Sequence, residues 1–494
     1  MSDHFPALII VVPLLCAFLI AAAGWIRRML CFPIALIAMA VSLYSAIALL
    51  GRVVANGQVS YHLGGWSPPW GIAYHIDYLN GIVLVVVAAV AFINLFATRC
   101  SVALEFPRKL GPFYALYVLF VTGLLGIVVT GDAFNLYVLL EIAALTGYAL
   151  LGMGEGRAPL ASLNYIFMGT IGASFYLLGI GYLYLATGSL NMADIAALLP
   201  EIYHSKVVLL AFIICMTGLF IKMALFPLHA WLPDAYTYSP SAAISLIAPL
   251  TTKVMVYVMI RIALTVFTPR FSFASPTVSA SFVWLAAIAI VMASILALSQ
   301  RSVKKMLAYI IIAEVGYMVG GLWLGNRNGI TGAILHIIND AAMTLCVFLV
   351  AGNILFKLKH DSFDHLQGLF RKMPFSMAAF VIGALSIIGV PPTCGFFSKW
   401  YLLLGGIDAG QYGFVAALIF SSLVNVVLFF RIFEIGFFRP AQKHHPDGGA
   451  SVEEAPLEML VPLMAVAALL VILGFYTGDI VNNLIQFALP AGIT

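Results

Sequence analysis

The sequence predicts an all-α polytopic membrane protein, because it holds about 14 apolar runs near the roughly 20 residues that one transmembrane helix requires. Of its 494 residues, 63% are hydrophobic and 9% are charged, whereas about a quarter of the residues in a soluble domain carry charge. A soluble core cannot absorb so much apolar surface, so lipid is the expected solvent for most of the chain. The net charge of +4 forms no basic stripe, which argues against a nucleic-acid partner.

The apolar runs divide the chain into successive spans joined by short loops. The first run lacks a basic start and a cleavage site of small residues, so we expect a retained helix rather than a signal peptide. The run 477–490 is too short and too polar to span. The predicted spans centre on 5–24, 29–50, 77–98, 112–130, 132–153, 163–186, 206–226, 242–267, 281–300, 305–325, 330–355, 375–402, 411–437 and 457–476.

The distribution of lysine and arginine predicts the orientation of the spans. Cytoplasmic loops are enriched in these residues, and most of them follow odd-numbered spans. We therefore expect these loops in the cytoplasm, both termini on the outer face, and a location in the cell inner (cytoplasmic) membrane. The basic residues of these loops are Arg27, Arg28, Arg99, Arg108, Lys109, Arg157, Arg301, Lys304, Lys305, Lys357, Lys359, Arg371, Lys372, Arg439 and Lys443. The alternate loops hold Arg52, Lys206, Arg270 and Arg327.

Three longer loops have compositions of their own. The aromatic, proline-bearing segment 53–76 is expected on the outer face, and 187–204 contains one amphipathic pattern typical of an interfacial helix. The segment 438–456 is the most polar and is predicted to be a flexible cytoplasmic loop. Its His444 and His445 have no third ligand nearby, so a solvated turn is favoured over a metal site.

The six cysteines lie singly in or beside apolar runs. Without a C-x-x-C pair, iron–sulfur or structural zinc ligation is not expected, and buried small hydrophobes account for these residues. The sequence also lacks a phosphate loop, a nucleotide fingerprint, a catalytic triad and a bis-histidine haem pair. We predict no cofactor and no catalytic redox site in this chain.

Ionisable residues inside the predicted spans are the main functional signal, because each costs at least about 2.5 kcal/mol at the bilayer centre. Glu141 has no cation three or four positions away, so it needs a partner on another helix or a bound proton. Lys222 precedes Pro227, which breaks the helix and frees carbonyls that can solvate the ammonium. His229 follows the break as a candidate link to the cytoplasmic side, and an interfacial position is equally open for it.

A second broken helix repeats this construction. Lys399 follows the pair Pro391 and Pro392, and Lys253 follows Pro249 by one turn. A buried lysine can lose its proton near neutral pH, because burial disfavours its charged form. Both lysines are therefore candidate proton carriers.

Three further titratable residues, Glu314, His336 and Asp340, lie between these lysines. His336 and Asp340 are four residues apart and share a helix face, so they can pass a proton or hold a water between them. A purely structural pair is the alternative. Together with Glu141 and the lysines, these residues predict a chain of proton-relay groups across successive helices.

Each broken helix is followed by a helix that closes on an arginine, Arg261 in the first case and Arg431 in the second. We interpret Arg261 as an anchor that extends to the membrane interface. Interrupted helices in corresponding positions indicate an ion path built from two repeats. The predicted units are an N-terminal three-helix segment (1–110), a first five-helix repeat (111–270), a second five-helix repeat (271–440), and a polar loop with a C-terminal helix (441–494).

At these residues the sequence resembles the antiporter-like membrane family shared by Mrp-type multisubunit Na+/H+ antiporters, among which the D-type chain is closest, and by the proton-pumping subunits of respiratory complex I. The resemblance covers about residues 70–440 and implies two inverted five-helix repeats with broken helices. It is carried by TGDAFNLYVLLEI, GSLNMADIA, LFPLHAWLPDAYTYSPSAAISLIAPLTTKVMVYVMIR, SVKKMLAYIIIAEVGYM and PPTCGFFSKW.

The resemblance also implies roles for the buried charges. Glu141 and Lys222 would bias one another as a pair, Lys253 would lie at the junction of the two halves, and Lys399 would serve the second half. Water would join the lysines into a path parallel to the membrane plane.

Three positions depart from the family pattern and make the second half more acidic. Asp340 stands where relatives usually have a histidine, and Thr344 where several Mrp-type relatives have a lysine. Glu314 stands where histidine or glutamine is common. These changes put in doubt which group carries the proton in the second half.

The predicted function is a proton-translocating, cation/H+ antiporter-type subunit of a multisubunit membrane complex, with H+ exchanged for Na+ or K+ where the complex is an antiporter. The alternative is a proton-pumping membrane subunit of a complex I-like NADH-quinone oxidoreductase or membrane-bound hydrogenase. A scaffold subunit that has lost transport is disfavoured by the intact key residues, and a self-sufficient transporter by the absence of an evident substrate pocket. The expected partners are other membrane subunits and the lipid bilayer.

Overall fold

The computed structural model describes residues 4–438, 453–490 and 493. Within this part of the chain, 12 helices are long and apolar enough to cross a membrane. The predicted spans 206–226 and 375–402 are present as interrupted helices. These two together with the 12 long helices confirm an all-α membrane fold of about 14 spans. His444 and His445 of the predicted polar loop lie outside the described residues.

The secondary structure is helical apart from one short hairpin in the described segments. The strands are β1 (Val59–His62) and β2 (Ala73–Ile76). The helices are α1 (Phe5–Ile26), α2 (Cys31–Asn56), α3 (Tyr78–Ala97), α4 (Arg99–Glu105), α5 (Leu110–Val129), α6 (Ala133–Gly152), α7 (Ala158–Thr187), α8 (Met192–Ile202), α9 (Lys206–Lys222), α10 (Trp231–Tyr238), α11 (Ser241–Arg261), α12 (Thr268–Ser272), α13 (Pro276–Leu298), α14 (Val303–Trp323), α15 (Arg327–Leu358), α16 (Leu369–Lys372), α17 (Pro374–Ile388), α18 (Cys394–Asp408), α19 (Tyr412–Phe433), α20 (Leu457–Phe475), α21 (Thr477–Ile480) and α22 (Gln486–Ala488).

The long helices differ in how much of their surface packs against protein. In the most apolar part of α11 every residue is buried, and in α14 and α15 94% are buried, against 33% in α1. α15 packs against α11, α14 and α18. A helix that is apolar on all sides is stable either in lipid or in a core, so α11, α14 and α15 form the centre of the bundle. These central helices carry Lys253, Glu314 and Asp340.

Both predicted helix breaks are present. α9 ends at Lys222 and α10 begins at Trp231, with Pro227 between them. α17 ends at Ile388 and α18 begins at Cys394, with Pro391 and Pro392 between them. Proline has no backbone N–H and its ring collides with the preceding turn, so each break leaves carbonyl groups without helical partners.

The loop 53–76 contains structure that the sequence analysis misses. It folds into the antiparallel hairpin of β1 and β2, with Val59 opposite Ile76 and His62 opposite Ala73. The hairpin lies against the start of the loop before α6, where the amide of Gly131 donates to the carbonyl of Ala73. The amphipathic pattern at 187–204 corresponds to α8, which Asn191 caps by accepting from the amides of residues 193 and 194.

Arg261 is not an interfacial anchor, and on this point the sequence interpretation is wrong. Its side chain is buried at the end of α11 and forms a bidentate ion pair with Asp77, with Nη1–Oδ2 and Nη2–Oδ1 distances of 2.6 and 2.8 Å. Its Nε donates to the hydroxyl of Tyr257 at 3.2 Å. Asp77 caps α3 together with Asn80. The pair therefore fixes the end of α11 against the start of α3.

The Asp77–Arg261 pair predicts a specific loss of stability. Asp77→Asn leaves the guanidinium buried without its anion, which we expect to cost about 3 kcal/mol and to lower the thermal unfolding midpoint of the solubilised protein. Asp408→Asn, which removes one exposed hydrogen bond to Asn328, is the control. Equal midpoints for the two variants would contradict the prediction.

The same pair predicts a pH dependence. Burial by itself raises the pKa of Asp77, but Arg261 and the amide of Asn80 outweigh burial and hold the pKa at about 2. Because the pKa in the folded protein lies below the ordinary 3.8, the carboxylate stabilises the fold above that pH and loses this effect as the pH falls towards 2. The difference in midpoint between wild type and Asp77→Asn should be constant near neutrality and shrink only in strong acid.

Candidate functional site

The first group of buried charges is an ion pair between two helices. Glu141 on α6 lies beside Lys222 at the end of α9, with Oε1 and Nζ 3.7 Å apart. Lys222 is 5% exposed and Glu141 25%. The distance is longer than a good hydrogen bond, and Oε1 has no hydrogen-bond partner within the described residues. The two groups are therefore close enough to stabilise each other's charge and not locked together.

Aromatic side chains hold the broken end of α9 in place. The indole of Trp231, at the start of α10, donates to the carbonyl of Ile221 at 3.1 Å. This bond satisfies one carbonyl that the break leaves free. The indole also stacks on Tyr165 of α7, with ring centroids 3.9 Å apart. Lys222 is thus presented from a fixed helix end.

His229 lies in the interrupted segment, half-buried and stacked on Phe226 with ring centroids 5.0 Å apart. Its ring centroid is 6.2 Å from that of Tyr309 on α14. The Nδ1 atom is buried and has no protein hydrogen-bond partner in the part of the chain that the structure describes. His229 thus lies within the break, before α10 and near α14, and the structure does not join it directly to Lys222.

The second group is a triangle of side chains at the centre of the bundle. Lys253 on α11 lies 3.0 Å from Oδ2 of Asp340 on α15 and donates to Oγ1 of Thr344 at 3.1 Å. The Thr344 hydroxyl in turn donates to Oδ1 of Asp340 at 2.7 Å. Lys253 is 2% exposed and Asp340 0%. Each charge therefore depends on the other, since water is excluded from both.

The third group surrounds Lys399 on α18. Its ammonium donates to the carbonyls of Ile387 and Ile388 at 2.6 and 3.2 Å, and to the hydroxyl of Ser422 at 3.1 Å. It also lies 5.2 Å from the ring centroid of Tyr317. Carbonyls freed at the end of α17 thus solvate a buried ammonium, which is the arrangement that the sequence analysis expects at Lys222.

Glu314 on α14 and Asp340 on α15 are buried neighbours whose carboxyl groups interact electrostatically. Two carboxylates that lie close together disfavour each other's charge. Asp340 is paired with Lys253, whereas Glu314 forms no ion pair among the described residues. Oε1 of Glu314 has no further partner among the described residues.

His336 and Asp340 share α15 but face different neighbours. Nδ1 of His336 lies 2.9 Å from the hydroxyl of Ser398, next to Lys399 in the chain, whereas Asp340 faces Lys253. Nε2 of His336 and Oδ1 of Asn339 are buried without protein partners in the described ranges. Buried polar atoms are nearly always satisfied by protein or water, so the space around them is suited to ordered water.

The structure brings together three sets of the predicted residues: Glu141 with Lys222, Lys253 with Asp340 and Glu314, and His336 with the helix that carries Lys399. Sequence reasoning misses Asp77, Tyr317 and Ser398. Tyr317 follows Glu314 by three residues and therefore lies on the same helix face, a spacing that the sequence does contain. Asp77 gives no such signal, since its partner is 184 residues away.

Comparisons with known proteins agree with this architecture. The family model described as "NADH:quinone oxidoreductase/Mrp antiporter, TM" matches residues 130–425. NADH-quinone oxidoreductase subunit N of Desulforudis audaxviator is 43% identical, with 99% of each chain covered. The D-type chain of the Na(+)/H(+) antiporter of Alkalihalophilus pseudofirmus is 30% identical, covering 91% of this chain and 88% of that protein. A chain in the structure of the membrane-bound sulfane sulfur reductase, an archaeal respiratory membrane complex, is 30% identical and superposes with a TM-score of 0.89, covering 97% of this chain and 96% of that chain.

The fold, its two broken helices and the buried ion pairs define an antiporter-type polytopic membrane subunit. The chain belongs to the NADH:quinone oxidoreductase/Mrp antiporter transmembrane family. The resemblance read from the sequence is therefore confirmed, and both branches that it names occur among the relatives. The oxidoreductase relative is the more similar of the two curated relatives, at 43% against 30% identity.

The central triangle predicts a stability pattern. Asp340→Leu leaves Lys253 buried and unpaired, at a cost of about 3 kcal/mol or more, whereas Thr344→Val removes one hydrogen bond at about 1 kcal/mol. Adding Lys253→Met to Asp340→Leu removes both charges and should recover most of the loss. Thermal unfolding of the solubilised variants measures the pattern. A double variant as unstable as Asp340→Leu would show that packing, not charge pairing, is lost.

Proposed function

We propose that this chain is a proton-translocating, cation/H+ antiporter-type subunit of a multisubunit membrane complex. The observation that carries the proposal is a series of titratable groups inside the helix bundle: the ion pairs Glu141–Lys222 and Lys253–Asp340, and the buried Lys399. Charges in such positions are expensive, and function is the simplest reason to keep several of them at comparable depth.

The first half supplies a pair whose separation controls a proton. While Glu141 lies beside Lys222, its negative charge favours the charged lysine. When the two move apart, burial disfavours the ammonium and Lys222 releases its proton towards Lys253. The 3.7 Å distance between Oε1 and Nζ supports this role, because no short hydrogen bond has to break.

The second half has a related arrangement. We divide the chain into the five-helix repeats 111–270 and 271–440. Glu141 then lies on α6, two membrane spans before the broken helix of the first repeat, and Glu314 lies on α14, two spans before the broken helix of the second. In the first repeat the lysine contacts the glutamate. In the second, Lys399 binds carbonyls of the break and makes no ion pair with Glu314 among the described residues. We infer that the two repeats are held in opposite states, paired and unpaired.

Glu314 is the group between the central pair and Lys399. In this proposal it shares a proton with Asp340, and it lies one turn from Tyr317, whose ring centroid is 5.2 Å from the ammonium of Lys399. Water beside Nε2 of His336 would complete a path from Asp340 to Lys399. His229 would serve as the link from the broken end of α9 to the cytoplasmic side.

Two candidate functions differ in the reaction that is coupled to proton movement. The relative named as a chain of a Na(+)/H(+) antiporter favours exchange of H+ for Na+ or K+. The relative named NADH-quinone oxidoreductase subunit N and the archaeal respiratory complex favour a redox-driven pump, in which electron transfer would take place in other subunits. Identifying the subunits that co-purify with this chain from membranes distinguishes the two.

Orientation belongs to the proposal as well. The excess of lysine and arginine in loops after odd-numbered spans supports a cytoplasmic location for those loops, both termini on the outer face, and insertion in the cell inner (cytoplasmic) membrane. The hairpin of β1 and β2 would then lie on the outer side.

The first-half switch predicts a loss of transport. Lys222→Ala or Glu141→Gln in the assembled complex should lower proton translocation by about a hundredfold, because each removes one member of the pair. Lys206→Ala, at the other end of α9, and Glu155→Gln, in the loop after α6, are matched controls that should transport normally. Dye-monitored pH gradients in vesicles give the rates. Unchanged rates in Lys222→Ala would overturn the proposed function.

The second-half relay predicts a separate defect. Glu314→Gln keeps the size of the side chain but cannot pass a proton, so translocation in the same vesicle assay should fall by about a hundredfold. Glu458→Gln, an exposed partner of Arg99, is the control. Full translocation in Glu314→Gln, with Glu141→Gln inactive, would remove Glu314 from the path and leave the first-half switch standing.

A further inference from the structure

A groove of about 500 Å³ runs along the outside of the bundle where α3 packs against α20. It is open to the surroundings, since Leu457 and Val461 on its rim are 74% and 63% exposed. In a membrane such a groove is filled by hydrocarbon, because an empty one forfeits the dispersion contacts of its walls. Its apolar wall includes Phe92, Ile93, Phe96, Val461, Pro462 and Ala465.

One end of this α3–α20 groove is charged. Arg99, two residues beyond the end of α3, and Glu458, the second residue of α20, both line it. Nη1 of Arg99 and Oε2 of Glu458 are 3.7 Å apart, and the two side chains are more than half exposed. This distance is longer than a good hydrogen bond, and an exposed pair of this kind contributes little stability. Both groups therefore remain available to a ligand.

Aromatic side chains hold the guanidinium of Arg99 beside the groove. The guanidinium carbon lies 4.9 Å from the ring centroid of Phe32, and this ring packs edge-on against Phe96 in the groove wall, with centroids 6.2 Å apart. A fixed guanidinium presents several N–H donors in one plane and matches the oxygens of a phosphate group. The charged end is thus suited to a phosphate at the membrane boundary.

Hydrogen-bond acceptors lie next to this guanidinium. Sγ of Cys100 and Arg99 both approach the same carboxylate oxygen of Glu458, Oε2, which leaves Oε1 for another donor. Pro462 has no N–H for the carbonyl of Glu458 four residues earlier, so that carbonyl is a further acceptor. A ligand that fits this end carries a phosphate and, close to it, a cationic donor. The phosphate and ammonium of phosphatidylethanolamine have this arrangement.

A second outward groove provides a comparison within the same molecule. It has a volume of about 430 Å³ and lies between α13 and α19. All the residues that line it are apolar, among them Trp284, Ala416 and Phe420. This groove can hold an acyl chain but has no group that distinguishes one head group from another.

We propose that the α3–α20 groove is a binding site for one phosphatidylethanolamine molecule. One acyl chain lies along the apolar wall, the phosphate binds Arg99, and the ammonium donates to Glu458. Phosphatidylcholine, whose trimethylammonium group has no N–H, fills the groove without the last of these contacts. The site involves none of the proposed proton-relay residues, so this inference does not rest on the proposed function.

Photo-crosslinking of the assembled complex in phosphatidylcholine vesicles tests the proposal. The probe is phosphatidylethanolamine with a diazirine on one acyl chain, and mass spectrometry measures the labelling of peptides from α3 and α20. Phosphatidylcholine with the same diazirine should label these peptides about tenfold less, because it lacks a hydrogen bond to a charged acceptor. This comparison uses wild type alone and therefore decides the question even if a variant does not fold.

Two pairs of variants locate the site. Arg99→Ala should lower labelling by the ethanolamine probe about tenfold, whereas Arg108→Ala, in the loop before α5, should not change it. Ala465 is exposed in the groove, and Ala465→Trp should abolish the labelling by filling the space. Ala416→Trp fills the second groove in the same way and should leave the labelling of α3 and α20 intact.

Equal labelling by the two probes would show that only an acyl chain is bound and would overturn the proposal, as would unchanged labelling in Ala465→Trp. Absence of labelling in wild type, or loss of a neighbouring subunit from the Ala465→Trp complex, would show that a protein helix covers the groove and would also overturn it. These measurements involve no transport, so their outcome is independent of the result for Lys222→Ala.

Discussion

The need to neutralise charge inside an apolar bundle is the constraint on which the rest of this structure depends. Lys253 and Asp340 lie on two of the most enclosed helices, where neither can reach water, and each makes the other tolerable. A buried pair of this kind adds little net stability compared with apolar packing. Under the proposed function, the pair is kept because a charge whose pairing can change is also a proton that can move.

The broken helices meet the same constraint by a different means. A continuous helix uses all its interior carbonyls, but a proline break releases several of them at membrane depth. In α18 these carbonyls receive the ammonium of Lys399 directly. In α9 the indole of Trp231 takes one of them, and Lys222 turns to Glu141 instead. A lysine next to a proline break can thus bind either a carboxylate on a neighbouring helix or the backbone carbonyls of the break.

Sequence reasoning predicts most of this fold, because span length, proline breaks and isolated charges are local signals. It finds the helices that carry Glu141 and Lys222, and it predicts that Glu141 needs either a partner on another helix or a bound proton. It fails for a buried charge whose ion-pair partner is far away in the sequence and lies in a segment without distinctive features. The sequence interprets Arg261 as an interfacial anchor because its partner Asp77, which is partly buried, precedes a helix that resembles any other span. The hairpin is likewise missed, since each of its strands has only four residues, which is the shortest run in which alternation indicates a strand.

Two neighbouring ammonium groups on one path, such as those of Lys222 and Lys253, repel each other. The acidic side chains beside them determine which lysine remains charged. Glu141 lies beside Lys222 and Asp340 beside Lys253, whereas Glu314 has no ion-pair partner among the described residues. If Lys222 passes a proton inward, Lys253 must already have lost one, and this requires Asp340 to accept a proton or turn away. In the proposed path, the extra acid at position 314 would lower that barrier by giving Asp340 a nearby proton donor. The acidic second half is therefore compatible with transport by the same electrostatic rule that governs the first.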